Sequence, residues 1–164
     1  MSKNIIVTGG AGYIGSHVCK SLALDGFNPI TIDNLSRGFQ QFVKWGPFYN
    51  VDLRNKELIN RVFKETKPIG VIHLAAYAYV EESIQNPLLY YNNNVIGGIN
   101  LISAMIECEI NFLVFSSSCT VYGVPDEIPI KEQCRRNPTN PYGKTKLILE
   151  NLIDQLVAKG KMNS

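Results

Sequence analysis

A short apolar run leading straight into a spaced set of glycines is the feature that most narrows what this chain can fold into. Residues 4–8 are a continuous apolar stretch of the kind buried on both faces of a parallel sheet. Glycines follow at positions 9, 12 and 15, and an amphipathic helical pattern runs over 13–25, closed by Gly26. Glycine can turn tightly out of a strand and let the backbone approach a ligand closely, and the third of such a trio packs helix against sheet. The amides and dipole at the start of the following helix favour an anion there. Glycines also mark ordinary turns, so the trio gains its meaning from the strand before it and the helix after it.

The same alternation continues along the chain. Strands are predicted over 29–33, 48–51, 69–74 and 112–116, and helices over 56–66, 88–108 and 142–159. Residues 34–47 read as a polar, irregular connection, and a loop carrying Pro125, Pro129, Pro138 and Pro141 precedes the last helix. Alternating strands and helices predict an α/β fold, a doubly wound parallel sheet flanked by helices. The length of 164 residues suits one domain over 1–164 with a substantial core. No internal repeat interrupts it. The sequence ends where a further strand is expected, so the sheet is predicted to be cut short before its last strand or strands.

Composition excludes several classes of partner. A formal net charge of +2, with lysines and arginines scattered, is too small for a nucleic-acid surface. No apolar run reaches the roughly 18 to 20 residues that a membrane helix needs. Residues 1–3 pass directly into the first strand, so no signal peptide is expected. Cys19, Cys108, Cys119 and Cys134 have no CxxC spacing and fall in different predicted elements. That pattern suggests free thiols in a reducing cytoplasm, without a disulfide framework or a metal site.

Two further groups carry chemistry. Asp33 closes the second strand, 18 residues after Gly15. A carboxylate there can accept both ribose hydroxyls of an adenosine and repel a 2′-phosphate, which favours NAD over NADP; a strand-end aspartate can also simply cap the turn that follows. No arginine directly follows it, Arg37 coming four residues later. Asp52, with Leu53, stands after the third strand and could reach an adenine edge. Tyr142 and Lys146 lie four apart at the start of the last helix, on one face. A phenol with a pKa of about 10 is a poor base at neutral pH, and a neighbouring ammonium favours its ionised form. That spacing is common on solvated helices. It acquires specificity from Ser116, Ser117 and Ser118 at the carboxyl end of the fifth strand, where open α/β sheets bind ligands. Ser116 and Ser117 can equally be a polar strand end satisfying its own backbone. His73, within an apolar strand, reads as a core or backbone-bonded histidine, and Cys119 as a small buried residue with no histidine near it in sequence.

The segments TGGAGYIGSH, DNLS at 33–36, HLAAYAYVEES, YYNNNVIGG, FSSSCTVYG and NPYGKTK, in this order, resemble the UDP-glucose 4-epimerases. These are extended short-chain dehydrogenases of the NAD-dependent epimerase/dehydratase type, and the resemblance covers essentially all of residues 3–155. It implies a Rossmann fold, NAD as cofactor and a UDP-sugar as substrate. It implies that Tyr142 takes the proton of the sugar 4-hydroxyl, that Lys146 binds the nicotinamide ribose and assists the tyrosine's ionisation, and that Ser118, with Thr120 nearby, partners the sugar O4. Gly9, Gly12, Tyr13, Ile14, Gly15, Asp33, Asn34, Asp52, Leu53, Leu74, Ala75, Ala76 and Asn93 match the family's cofactor positions. The sugar C4 would be oxidised by NAD and the hydride returned to its opposite face.

The chain also departs from its relatives. Nucleotide-sugar 4,6-dehydratases carry an Asp-Glu pair where this chain has Cys119 and Thr120, which leaves no acid and base for water elimination. Glu81 stands where the family usually has glycine, in what is expected to be a loop close to the cofactor phosphates. The family's substrate domain, which grips the uridine and sugar, has no counterpart after the tyrosine helix. Weak or no turnover in isolation is therefore expected, and a homodimer or a complementing C-terminal chain is the expected protein partner. Other UDP-sugars (a UDP-pentose or a UDP-N-acetylhexosamine) and a non-catalytic NAD-binding role remain alternatives.

Overall fold

The computed structural model describes residues 3–164. Five parallel strands, β1 (Asn4–Thr8), β2 (Asn28–Asp33), β3 (Phe48–Asn50), β4 (Gly70–His73) and β5 (Leu113–Phe115), form one sheet in the order β3-β2-β1-β4-β5. The chain therefore winds outward from β1 to one edge and crosses back to β4 on the other side of β1. That reversal opens a crevice at the carboxyl end of β1, the place where ligands bind in open α/β sheets.

Strand register decides which side chains face which layer. Ile6 lies beside Ile30 and Val71, and Val71 beside Leu113, so these four point to one face. They are covered by α2 (Lys56–Thr66) through Ile59, Val62 and Phe63, by α5 (Gly97–Glu107) through Leu101 and Met105, and by α6 (Pro141–Ala158) through Leu149 and Ile153. All are almost wholly buried, and each such side chain contributes about 1.5–3 kcal/mol on removal from water. On the opposite face Val7 lies beside Thr31, whose hydroxyl meets the thiol of Cys19 from α1 (Tyr13–Leu24). With helices on both faces, the sheet is doubly wound, a Rossmann arrangement. The helix α2 begins where the Asn55 side chain accepts from the Leu58 amide at 3.1 Å, and ends at Lys67, left-handed with φ 44° ahead of Pro68.

Two stretches differ from expectation. The loop expected around Glu81 holds a short helix, α3 (Val80–Gln85). The single long helix expected over 88–108 is built in three pieces: α4 (Pro87–Tyr90), a π turn (Tyr91–Ile96) and α5. The last residues lie along β5. Met162 is buried, and Asn163 accepts from the Leu113 amide at 2.9 Å while its own amide donates to Asn111 at 2.6 Å. Among the described residues β5 has no further partner on this edge beyond that single bridge, and Phe112 is 63% and Val114 62% exposed. Among the described residues no helix is long and apolar enough to cross a membrane.

Candidate functional site

Every strand delivers its candidate residues at the same edge of the sheet. At the end of β1, Gly9 adopts φ 74°, and a Cβ there would stand 2.8 Å from the Ala75 amide nitrogen after β4. At Gly15, the third of the trio, a Cβ would stand 2.1 Å from the Gly9 carbonyl oxygen, so α1 can pack this closely only without a side chain. No side chain caps α1, which leaves its first-turn amides free for an anion. Tyr13 and Ile14 stand in that turn, 77% and 62% exposed, and neither lines the cavity described next.

Above the glycine loop lies a cavity of about 140 Å³. Gly9 and Gly12 form part of its wall, as do Asp33 and Asn34 after β2, Leu53 after β3, Leu74, Ala75 and Ala76 after β4, and Asn93 from the π turn. Asp33 is buried; its Oδ1 accepts from the Leu35 amide at 2.8 Å and its Oδ2 from the Ala11 amide at 3.1 Å. The carboxylate thus caps the turn and is at the same time fixed facing the cavity. Asp52 is not part of the wall. Its oxygens are engaged by Arg54 at 2.6–2.9 Å and by the Asn34 amide at 3.0 Å, and the hydrogen bonds from Arg54 hold its pKa well below the usual carboxylate range.

Gly38 and Tyr77 also line the cavity although the sequence offered no reason to include them, and so does Arg37, which the sequence reading set aside because it comes four residues after Asp33. Leu35 is left-handed, φ 57°, and turns the chain back so that the Phe39 amide reaches the Ala11 carbonyl at 2.9 Å. This reversal is what brings Arg37 over the glycine loop. Tyr77 is placed by Asn94, whose side chain accepts from the Tyr77 amide at 2.8 Å and donates to its carbonyl at 3.0 Å. The Asn94 amide also donates to Thr145 of α6 at 3.1 Å, tying the cavity to the helix that carries the tyrosine.

That helix starts at Pro141, one residue before the expected start. The Asn140 side chain accepts from the Gly143 amide at 2.8 Å, with Pro141 in the first turn. Tyr142 and Lys146 fall on one buried face, the Lys146 nitrogen 6.0 Å from the Tyr142 ring centroid. Lys146 donates to the Ser116 carbonyl at 2.7 Å, and burial pushes its pKa down to about 8, partly offset by Glu150. A Cβ on Gly143 would stand 2.8 Å from the Thr120 carbonyl, so this first turn lies directly against the segment after β5. There Ser118 caps the turn Cys119–Tyr122, and its hydroxyl oxygen accepts from the Thr120 hydroxyl at 2.9 Å. With that lone pair engaged, the Ser118 proton is free to point outward. The serine, threonine, tyrosine and lysine thus gather at the β5 end, while the cavity occupies the β1–β2 end.

Four details correct or sharpen the sequence reading. Cys119 is exposed, because the capped turn after Ser118 faces it outward. Ser117 does not satisfy its own backbone; its hydroxyl donates to the Glu150 carboxylate. Glu81 lies in the first turn of α3 and not in a loop, accepting from Gln85 at 3.2 Å on the exposed side, away from the cavity wall. His73 is a core histidine held by a side chain and not by backbone, its Nδ1 2.7 Å from the Thr8 hydroxyl, and burial with the nearby Lys146 charge pushes its pKa down to about 3.

Known proteins resemble this chain over nearly its whole length. The UDP-glucose 4-epimerase of Rhizobium meliloti is 45% identical over 152 residues, which is 93% of this chain and 46% of that protein. The solved structure of UDP-glucose 4-epimerase from Brucella ovis in complex with NAD superposes with a TM-score of 0.93 at 46% identity, covering 96% of this chain and 49% of that one. The Thermotoga maritima UDP-glucose 4-epimerase structure with UDP-glucose gives a TM-score of 0.92 at 33% identity, covering 97% of this chain and 52% of that one. The chain spans about half the length of the curated relatives it matches. A family model, the NAD dependent epimerase/dehydratase family, matches residues 5–164. With the glycine loop, the buried Asp33 and the Tyr142–Lys146 face at one edge of a doubly wound sheet, the chain belongs to the NAD dependent epimerase/dehydratase family.

Proposed function

We propose that residues 3–164 form the dinucleotide-binding unit of a UDP-sugar 4-epimerase, with NAD as cofactor and UDP-glucose and UDP-galactose as the substrate pair. The observation that carries this reading is the lock between Lys146 and the Ser116 carbonyl, which fixes the Tyr142 face of α6 at the sheet edge that also holds the glycine loop. The residues present fit a dinucleotide. Gly9 leaves no room for a side chain where a pyrophosphate would pass, α1 is uncapped, and Asp33 offers a buried carboxylate to a ribose. Gly12, Leu53, Leu74, Ala75, Ala76 and Asn93 would flank it, with Asn34 and Asp52 steadying the adenosine end.

NAD held there would supply reversible hydride chemistry at the sugar C4. The chain's own residues handle the proton. The Tyr142 phenolic oxygen takes it from the sugar 4-hydroxyl and returns it after the sugar has turned. Lys146 keeps a positive charge beside that ring and reaches the nicotinamide ribose. Ser118, its oxygen engaged by Thr120, donates to O4 and holds the 4-keto oxygen in place.

Tested alone, residues 1–164, which span about half the length of the curated relatives, are expected to bind NAD and to turn over about 100-fold or more below a full-length relative. A complementing C-terminal chain is the partner that would raise it. The test is calorimetric titration of the purified chain with NAD after any carried-through nucleotide is removed, followed by a UDP-galactose assay. Saturable binding with slow turnover supports the reading. Well-folded protein that takes up no NAD would refute it.

A further inference from the structure

Arg37 stands on the wall of the same cavity as Asp33, four residues further along. A guanidinium near the carboxyl end of β2 is the group by which dinucleotide sites accept a 2′-phosphate. Here it is held by other partners. Its Nη2 donates to both carboxylate oxygens of Glu82, at 2.6 and 2.7 Å. Its Cζ lies 4.5 Å from the Tyr77 ring centroid and 4.9 Å from that of Tyr79. Glu82 does not swing freely either. Its Oε2 accepts from the Tyr90 hydroxyl at 2.6 Å, Tyr90 is wholly buried, and the same hydroxyl oxygen accepts from the Tyr79 amide at 3.0 Å. An isolated surface ion pair contributes little, but one anchored through a buried phenol and flanked by two rings keeps its geometry.

We propose that Glu82 is a second determinant of cofactor choice beside Asp33: by gripping Arg37 it neutralises the guanidinium that would otherwise receive a 2′-phosphate and keeps it turned toward α3. This rests on the reading of the cavity as the adenosine end of an NAD site. Asp33 repels the phosphate directly, whereas Glu82 withdraws its partner. Glu82 touches no cofactor in this scheme and acts as a positioning residue through Arg37.

Calorimetric titration with NAD and NADP of the wild type, Asp33→Ser, Asp33→Ser/Glu82→Gln and Asp33→Ser/Glu82→Gln/Arg37→Ala tests it. Glutamine keeps an acceptor for the Tyr90 hydroxyl, and NAD binding by the double variant reports that the fold survives. The expected result is that adding Glu82→Gln to Asp33→Ser tightens NADP by about tenfold or more while NAD shifts less than about threefold, and that Arg37→Ala abolishes the gain. A gain that persists without Arg37 overturns the inference, as does no gain in a variant that still binds NAD. Failure of the wild type to bind NAD would overturn the reading of the cavity and this inference with it.

Discussion

Lys146 donates to the Ser116 carbonyl across 2.7 Å, joining the first turns of α6 to the end of β5. The bond orients a buried ammonium toward the tyrosine side of the site, and it gives a backbone oxygen that would otherwise be orphaned a charged partner. Lys146→Met is expected to weaken NAD binding by about tenfold or more and to lower turnover by about 100-fold. Tyr142→Phe is expected to lower turnover as much while leaving NAD affinity within about threefold. Calorimetry and a UDP-galactose assay on both variants separate the roles. Equal losses of NAD affinity in the two would show that the tyrosine and lysine do not divide the work in this way.

Acid stability should depend on His73. Its folded pKa is about 3, below the ordinary value of 6.5, because burial penalises the charged ring. Between those two values the unfolded chain holds a proton that the native chain does not, so stability falls as pH drops through the window. From pH 7 to pH 5 this one group should cost about 2 kcal/mol. His73→Asn does not titrate and keeps a partner for the Thr8 hydroxyl. Urea midpoints at the two pH values should therefore converge in the variant, and an unchanged slope would remove His73 as the cause.

Gly15 allows the closest approach of helix to loop, so Gly15→Ala should be severe for a one-carbon change. The added carbon would stand 2.1 Å from the Gly9 carbonyl oxygen, forcing α1 away from the sheet. A loss of about 1–3 kcal/mol in urea unfolding is expected, together with loss of NAD binding. Retained affinity in a destabilised variant would mean that the loop tolerates the displacement.

The β5 edge should govern association. Phe112, just before β5, and Val114 within it are both more than 60% exposed along an edge whose ladder is mostly unpaired among the described residues, an arrangement that invites pairing with another chain. Wild-type protein should show concentration-dependent association in sedimentation velocity, and Val114→Lys should suppress it. A wild type that stays monomeric at high concentration would count against the edge as the cause.

What was legible in the sequence was what is encoded locally. The glycine trio and Asp33 at a strand end both act through neighbours a few residues away, and both stand where expected, whereas Pro141, expected in the loop, opens the tyrosine helix under the Asn140 cap. Arg37 was set aside as too far along from Asp33, because its position depends on one left-handed residue, Leu35, which carries no glycine signal. The helix α3 is only six residues long and has too few turns to show a periodicity. Cys119 was misplaced because a capped turn, and not strand alternation, sets its direction. The break at Tyr91–Ile96 left no trace in the pattern either, since its apolar and polar residues suit a helix of either pitch.

That π turn acts as a phase shifter between two halves of one rod. Downstream of it, α5 keeps Leu101, Ile102 and Met105 on the sheet; upstream, Tyr90 of α4 meets Glu82 of α3, and within the turn itself Asn93 lines the cavity and Asn94 holds Tyr77. A regular helix advances about 100° per residue, so removing one residue from 91–96 would rotate everything before it by that amount against everything after. The core half would be unaware of the change, and the whole upper rim of the site would face the wrong way.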